Sequence, residues 1–102
     1  MNSMLFEWDP DKSKHNKKKH DISFEEAVLV FTDRNALSIY ADEHSEHEDR
    51  WITIGLVPHD KVIVVIHADR IYIDHKEVIR IISARKATDK EKKDYYRKGK
   101  LL

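Results

Sequence analysis

The sequence contains no cysteine, which excludes disulfides, zinc–thiolate centres and thiol nucleophiles and leaves any catalysis to other groups. Long hydrophobic runs are missing too. None exceeds Val62 to Ile66, far short of the roughly 20 apolar residues a membrane-spanning helix needs, and the first residues lack the apolar stretch of a secretory signal. A cytoplasmic protein without membrane contact is the resulting expectation. There is no internal repeat and no low-complexity linker. A length of 102 residues suffices for one hydrophobic core but not for two domains of ordinary size, so 1–102 reads as a single domain.

A net charge is also absent, with 19 Lys and Arg against 19 Asp and Glu, but the balance conceals segregation. Between residues 41 and 50 five acids (Asp42, Glu43, Glu46, Glu48, Asp49) face Arg50 alone, whereas residues 76–102 carry ten Lys or Arg against four acids. The C-terminal third is therefore the surface that would meet a polyanion. With 40% hydrophobic and 37% charged residues, the chain can fill a core beneath an ionic surface, which argues against disorder.

Met4 to Trp8 can pair as a strand, after which Asp9 and Pro10 form an N-cap and first helical residue. The helix from there to His20 is polar and basic, without an apolar stripe. Ser23-Phe24-Glu25-Glu26 fits a capping box, followed by Ala27, Val28 and Phe31 at helical spacing. Leu37 to Ile39 alternates as a strand, and residues 41–49 form an acidic loop. Trp51–Val57, Val62–His67 and Val78–Ala84 read as core strands joined by hairpins, with Ile71 to Ile73 as a possible extension whose tip is Asp74-His75. Thr88-Asp89-Lys90-Glu91 opens a last helix through Tyr95 and Tyr96 that Gly99 would end. The order predicts an α+β fold: an antiparallel sheet of four to five strands, two N-terminal helices and a C-terminal helix, with the helices mainly on one side.

The densest candidate for chemistry is Arg80 to Thr88, in which Arg80, Arg85 and Lys86 flank the end of an apolar strand just before a helix start. Arginine forks and exposed helix N–H groups both suit phosphate oxygens. Positions 80 and 85 have opposite parity, so in an ideal strand they face opposite sides and converge only if the strand ends or twists near Ser83-Ala84. The plain alternative is surface ion pairing. Lys19 and His20 close the first helix, where cations favour the dipole, yet either could reach a phosphate, and His20 could act as general acid or base. His44-Ser45-Glu46-His47 reads as solvated acidic loop rather than a metal site, and no metal or other cofactor is expected. His67, closing the most apolar strand, could be a second acid–base group but reads first as a satisfied structural residue, and Trp8 and Trp51 read as core anchors before base-stacking platforms.

Taken together, Phe6-Glu7-Trp8-Asp9, Lys19-His20 with Ser23 to Ala27, Arg50 to Gly55, and above all Arg80 to Thr88 with Glu91 and Tyr95 behind it, resemble the BrnT toxin family. The likeness runs from residue 5 to about residue 96. The resemblance implies a RelE-like fold, a type II toxin–antitoxin role and metal-independent RNA cleavage that inhibits translation. It also implies neutralisation by a BrnA-like ribbon-helix-helix antitoxin in a hetero-oligomer, which would reach promoter DNA through the antitoxin. The polar residues that match the family are Lys19, His20, Glu26, Arg50, Arg80, Arg85 and Tyr95. On physical grounds His20, Glu26, Arg50, Arg80 and Arg85 are read as catalytic, and Lys19, Lys86 and Tyr95 as RNA-binding. Rival readings are a non-catalytic module that binds RNA or protein, and a subunit that only completes a co-repressor with its DNA-binding antitoxin.

Overall fold

Side chains close every helix start anticipated from the sequence in the computed structural model, which describes residues 4–44, 47–71 and 76–101. Asp9 Oδ1 accepts the Asp11 N–H at 2.9 Å just ahead of Pro10, and helix α1 (Pro10–His20) runs to Asp21, whose left-handed backbone (φ 58°) ends it. Ser23 Oγ accepts the Glu26 N–H at 3.1 Å and opens α2 (Phe24–Ala27), which tightens into a 3₁₀ turn over Val28–Thr32 instead of continuing as an α-helix through Phe31. Val28, Val30 and Thr32 are β-branched and crowd a regular helix, which favours the short tighter form. At the other end of the chain Thr88 and Glu91 complete a reciprocal capping box. The last helix, α3 (Asp89–Leu101), passes through Gly99 rather than ending there; no glycine has the positive φ that a glycine stop requires.

The strands are β1 (Met4–Glu7), β2 (Leu37–Tyr40), β3 (Trp51–Val57), β4 (Lys61–Ile71) and β5 (Glu77–Lys86), in the spatial order β1-β5-β4-β3-β2. Strands β2 to β5 form the expected antiparallel meander. β1 instead lies parallel to β5, from Met4 opposite Glu77 to Glu7 opposite Arg80, so the sheet is mixed rather than wholly antiparallel. The first strand is returned to the far edge by everything between, and lands there in the direction of the last. The α+β class stands. The anticipated hairpin tip falls on residues 72–75, outside the described residues.

β4 explains why one stretch of sequence is apolar without alternation. Ile63 and Val65 join Ile22, Phe24, Ala27 and Val30 in one cluster, whereas Val62 and Val64 join Ala87 and Tyr95 in another. Neighbouring strand residues face opposite sides, so the strand is buried on both, and each such side chain contributes roughly 1.5–3 kcal/mol. The helices accordingly are not all on one side: α1 and α2 cover one face and α3 packs on the other. Gly55 lets the 3₁₀ turn press against β3, since a Cβ there would lie 2.4 Å from Val30 Cγ2.

His67 is buried and bonded at both ring nitrogens: Nε2 is 2.7 Å from Thr53 Oγ1 and Nδ1 is 2.7 Å from Asp69 Oδ1, while Thr53 Oγ1 lies 2.7 Å from Ser38 Oγ. Phe31 packs edge-on against the ring. Burial holds its pKa below the usual 6.5, against the opposing pull of Asp69 and Glu77. The folded protein therefore binds this proton less readily than the unfolded chain, so its contribution to stability is complete above pH about 6.5 and is lost as the pH falls below that value. Melting temperature is expected to decline as the pH is lowered from about 7 to about 5, and His67→Gln to flatten the decline. Equal slopes in both proteins would remove His67 as the source.

Candidate functional site

An irregularity in β5 decides which face its arginines occupy. Ile66 lies opposite Ser83 but His67 lies opposite Ile81, so Ile82 is an extra residue, a β-bulge. Beyond it the alternation inverts. Ile79 and Ile81 before the bulge and Ala84 after it all enter the core under α1 and α2. Arg80, opposite Ala68, and Arg85, opposite Val64, consequently share the other face. They are about 13 Å apart along the strand, and their side chains turn to different partners. Arg80 binds the Glu48 carboxylate, which Arg50 Nη2 approaches to 3.5 Å. Arg85 makes a two-pronged pair with Glu91, at 2.8 and 3.0 Å. That fork holds the Glu91 carboxyl down to about 2.

The outer edge of β5 is covered in two ways. β1 pairs it only as far as Arg80. Further on, Asn16 of α1 takes the place of a strand: its Oδ1 accepts the Ala84 N–H at 3.1 Å, and its Nδ2 donates to the carbonyls of Ala84 and Ile22, each at 2.9 Å. This one buried side chain of α1 ties the basic end of the helix to the strand. A groove of about 610 Å³ results, lined by Lys18, Lys19, His20, Asp21, Arg85, Lys86 and Thr88. It adjoins a second hollow of about 460 Å³ where His15, Lys19 and His20 face Ile82 and Ser83 of the bulge.

Four of the residues singled out from the sequence thus meet in one groove: Lys19, His20, Arg85 and Lys86. The other four lie elsewhere. Arg50 and Arg80 flank Glu48, and Glu26 pairs with Lys61 at 2.6 Å instead of reaching back to close its capping box. Tyr95 is only 4% exposed and donates its hydroxyl to the Asp33 carboxylate; burial, seconded by Asp33, pushes its pKa well above the ordinary phenol value. The accessible ring is its neighbour Tyr96, at 46%. Sequence reasoning missed Asn16 and Glu48, which carried only the weak signals of an amide inside a polar helix and one acid among many. Guanidinium, ammonium and imidazole groups line the groove beside the Asp21 carboxylate, a set of side chains of the kind that pairs with phosphate oxygens.

Among the described residues no helix is long and apolar enough to cross a membrane. A search of curated proteins gave no match. The 1.1 Å crystal structure of the Brucella abortus ribonuclease toxin BrnT is similar in fold, with a TM-score of 0.59 and 21% identity over 86% of this chain and 100% of that one. The family model described as "Ribonuclease toxin, BrnT, of type II toxin-antitoxin system" matches residues 8–91, a span that includes the α1 end, the bulge and the Arg85–Glu91 pair. By that match the chain belongs to the BrnT family of type II toxin–antitoxin ribonuclease toxins.

Proposed function

We propose that this chain is a metal-independent endoribonuclease that cuts RNA in the cytoplasm, inhibits translation and is neutralised by a BrnA-like ribbon-helix-helix antitoxin. In that hetero-oligomer the antitoxin would carry it to promoter DNA. The observation that carries the reading is the convergence of Lys19, His20, Arg85 and Lys86 on one groove. In the proposed step the ribose 2′-oxygen attacks the adjacent phosphorus, His20 takes the 2′-OH proton, and the bond to the 5′-oxygen breaks as that oxygen takes a proton from water. Arg85, Lys19 and Lys86 neutralise the charge that grows on the phosphate oxygens.

Purified protein incubated with labelled RNA in EDTA is expected to release fragments ending in a 2′,3′-cyclic phosphate and beginning with a 5′-hydroxyl. His20→Gln, checked for folding, is expected to slow cleavage about 100-fold. RNA bound but left intact by the parent protein would favour the non-catalytic reading, and undiminished cleavage by His20→Gln would take the proton transfer away from His20.

A further inference from the structure

Arg50 and Arg80 stand outside the groove just described, but their arrangement is that of an anion site with its anion already supplied by the chain. In the sheet Arg80 pairs with Ala68, and Trp51 with His67, so Arg50 projects on the same face as Arg80 across the intervening β4. Ala68, the β4 residue opposite Arg80, is nearly fully buried. The Glu48 carboxylate joins the two arginines, bound by Arg80 and approached by Arg50. A carboxylate and a phosphate offer guanidinium groups the same kind of oxygen pair. All three side chains retain a quarter to a third of their exposure, so solvent, and hence a ligand, reaches the cluster.

We propose that Arg50 and Arg80 form a second phosphate subsite for RNA, and that Glu48 occupies it until an RNA phosphodiester displaces the carboxylate. This rests on the ribonuclease reading, with the groove at Arg85 as the place of cleavage. Arg80 and Arg85 share a face but turn apart, to Glu48 and to Glu91, so they serve different phosphates of one strand rather than clamping the same one. The substrate class is therefore an oligonucleotide long enough to reach both stations. A dinucleotide with a single phosphodiester fills one station only and has no reason to dislodge Glu48. Glu48 thereby acts as an internal competitor that short anions do not overcome.

The test is equilibrium binding of 2′-O-methyl RNA, which cannot be cleaved through its 2′-oxygen, as a dinucleotide and as an octamer. It uses the parent, Glu48→Gln, Arg80→Ala and the double variant, each first shown to melt as a folded protein. Glu48→Gln is expected to tighten octamer binding about tenfold and to leave dinucleotide binding unchanged. Arg80→Ala in the Glu48→Gln background should abolish the gain and reduce the salt slope of octamer binding by about 0.7. Unchanged or weaker octamer binding by Glu48→Gln would overturn the proposal, leaving the cluster a structural ion pair. A loss of cleavage rate by Glu48→Gln with octamer binding unaltered would likewise overturn it, in favour of Glu48 as a proton acceptor. Cleavage is read separately on ordinary RNA. A parent that cuts nothing while Glu48→Gln gains affinity defeats the ribonuclease reading and not the subsite, and the reverse pattern does the opposite.

Discussion

Alanine at Arg85 is expected to lower the rate of RNA cleavage about 100-fold or more, the usual consequence of removing a group that stabilises charge in the transition state. Among the described residues Arg85 is the one arginine that lines the groove with His20, and its fork presents two parallel donors that a single ammonium cannot copy. Its side chain is 43% exposed and already paired with Glu91, so the exposed ion pair itself adds only about 1 kcal/mol or less to stability. Two controls separate catalysis from support of the helix start. Arg85→Lys keeps the charge and loses the fork, so an intermediate rate is expected. Glu91→Gln removes the partner while leaving the guanidinium free, so cleavage should be kept or raised while the α3 cap weakens. A folded Arg85→Ala protein that cuts RNA at the parent rate would exclude Arg85 from the reaction.

Asn16→Leu is expected to be the most damaging single change to the fold, at about 3 kcal/mol or more. It leaves the Ala84 N–H and the carbonyls of Ala84 and Ile22 without their partner in a buried place, and each unsatisfied group costs about 1–3 kcal/mol. Asn16→Asp retains the acceptor and loses both donors, so it should fall between. Urea unfolding measures both. A Leu variant within about 0.5 kcal/mol of the parent would mean that water or a shift of α1 replaces the amide, the size of effect typical of an inert surface substitution. The same variant is expected to lose cleavage at temperatures where it remains folded, because α1 carries Lys19 and His20 and no other side chain of that helix is buried.

Local chemistry made much of this fold legible. Asp9-Pro10, Ser23 to Glu26 and Thr88 to Glu91 each begin a helix where their side chains could close it, and β3 to β5 follow from β-branched runs between turns. The parts that were not legible depend on partners far along the chain. Whether β1 joins the edge parallel or antiparallel is a property of β5, about 70 residues later. The Asn16 bond to Ala84 spans 68 positions, and nothing near Asn16 announces it. The placement of α3 on the opposite face, and with it the choice of Tyr95 over Tyr96 as the buried ring, is settled by where that helix docks. At the site, parity alone separated Arg80 from Arg85, and only the bulge at Ile82 reunites their faces. The basic groove was read from its residue types, whereas nothing near Glu48 sets it apart from the other acids of its segment as the partner of Arg50 and Arg80.

The pairing of β1 with β5 also orders events in time. A ribosome makes β5 about 70 residues after β1, so until it follows, Met4 to Glu7 lack the strand they pair with and Asn16 lacks the edge it fills. Lys19 and His20 emerge first, and the strand that carries Arg85 and Lys86 follows only after β2, β3 and β4. The groove therefore cannot exist on a polypeptide that stops short of β5, and the machinery producing this chain meets a formed site only once β5 has left the exit tunnel.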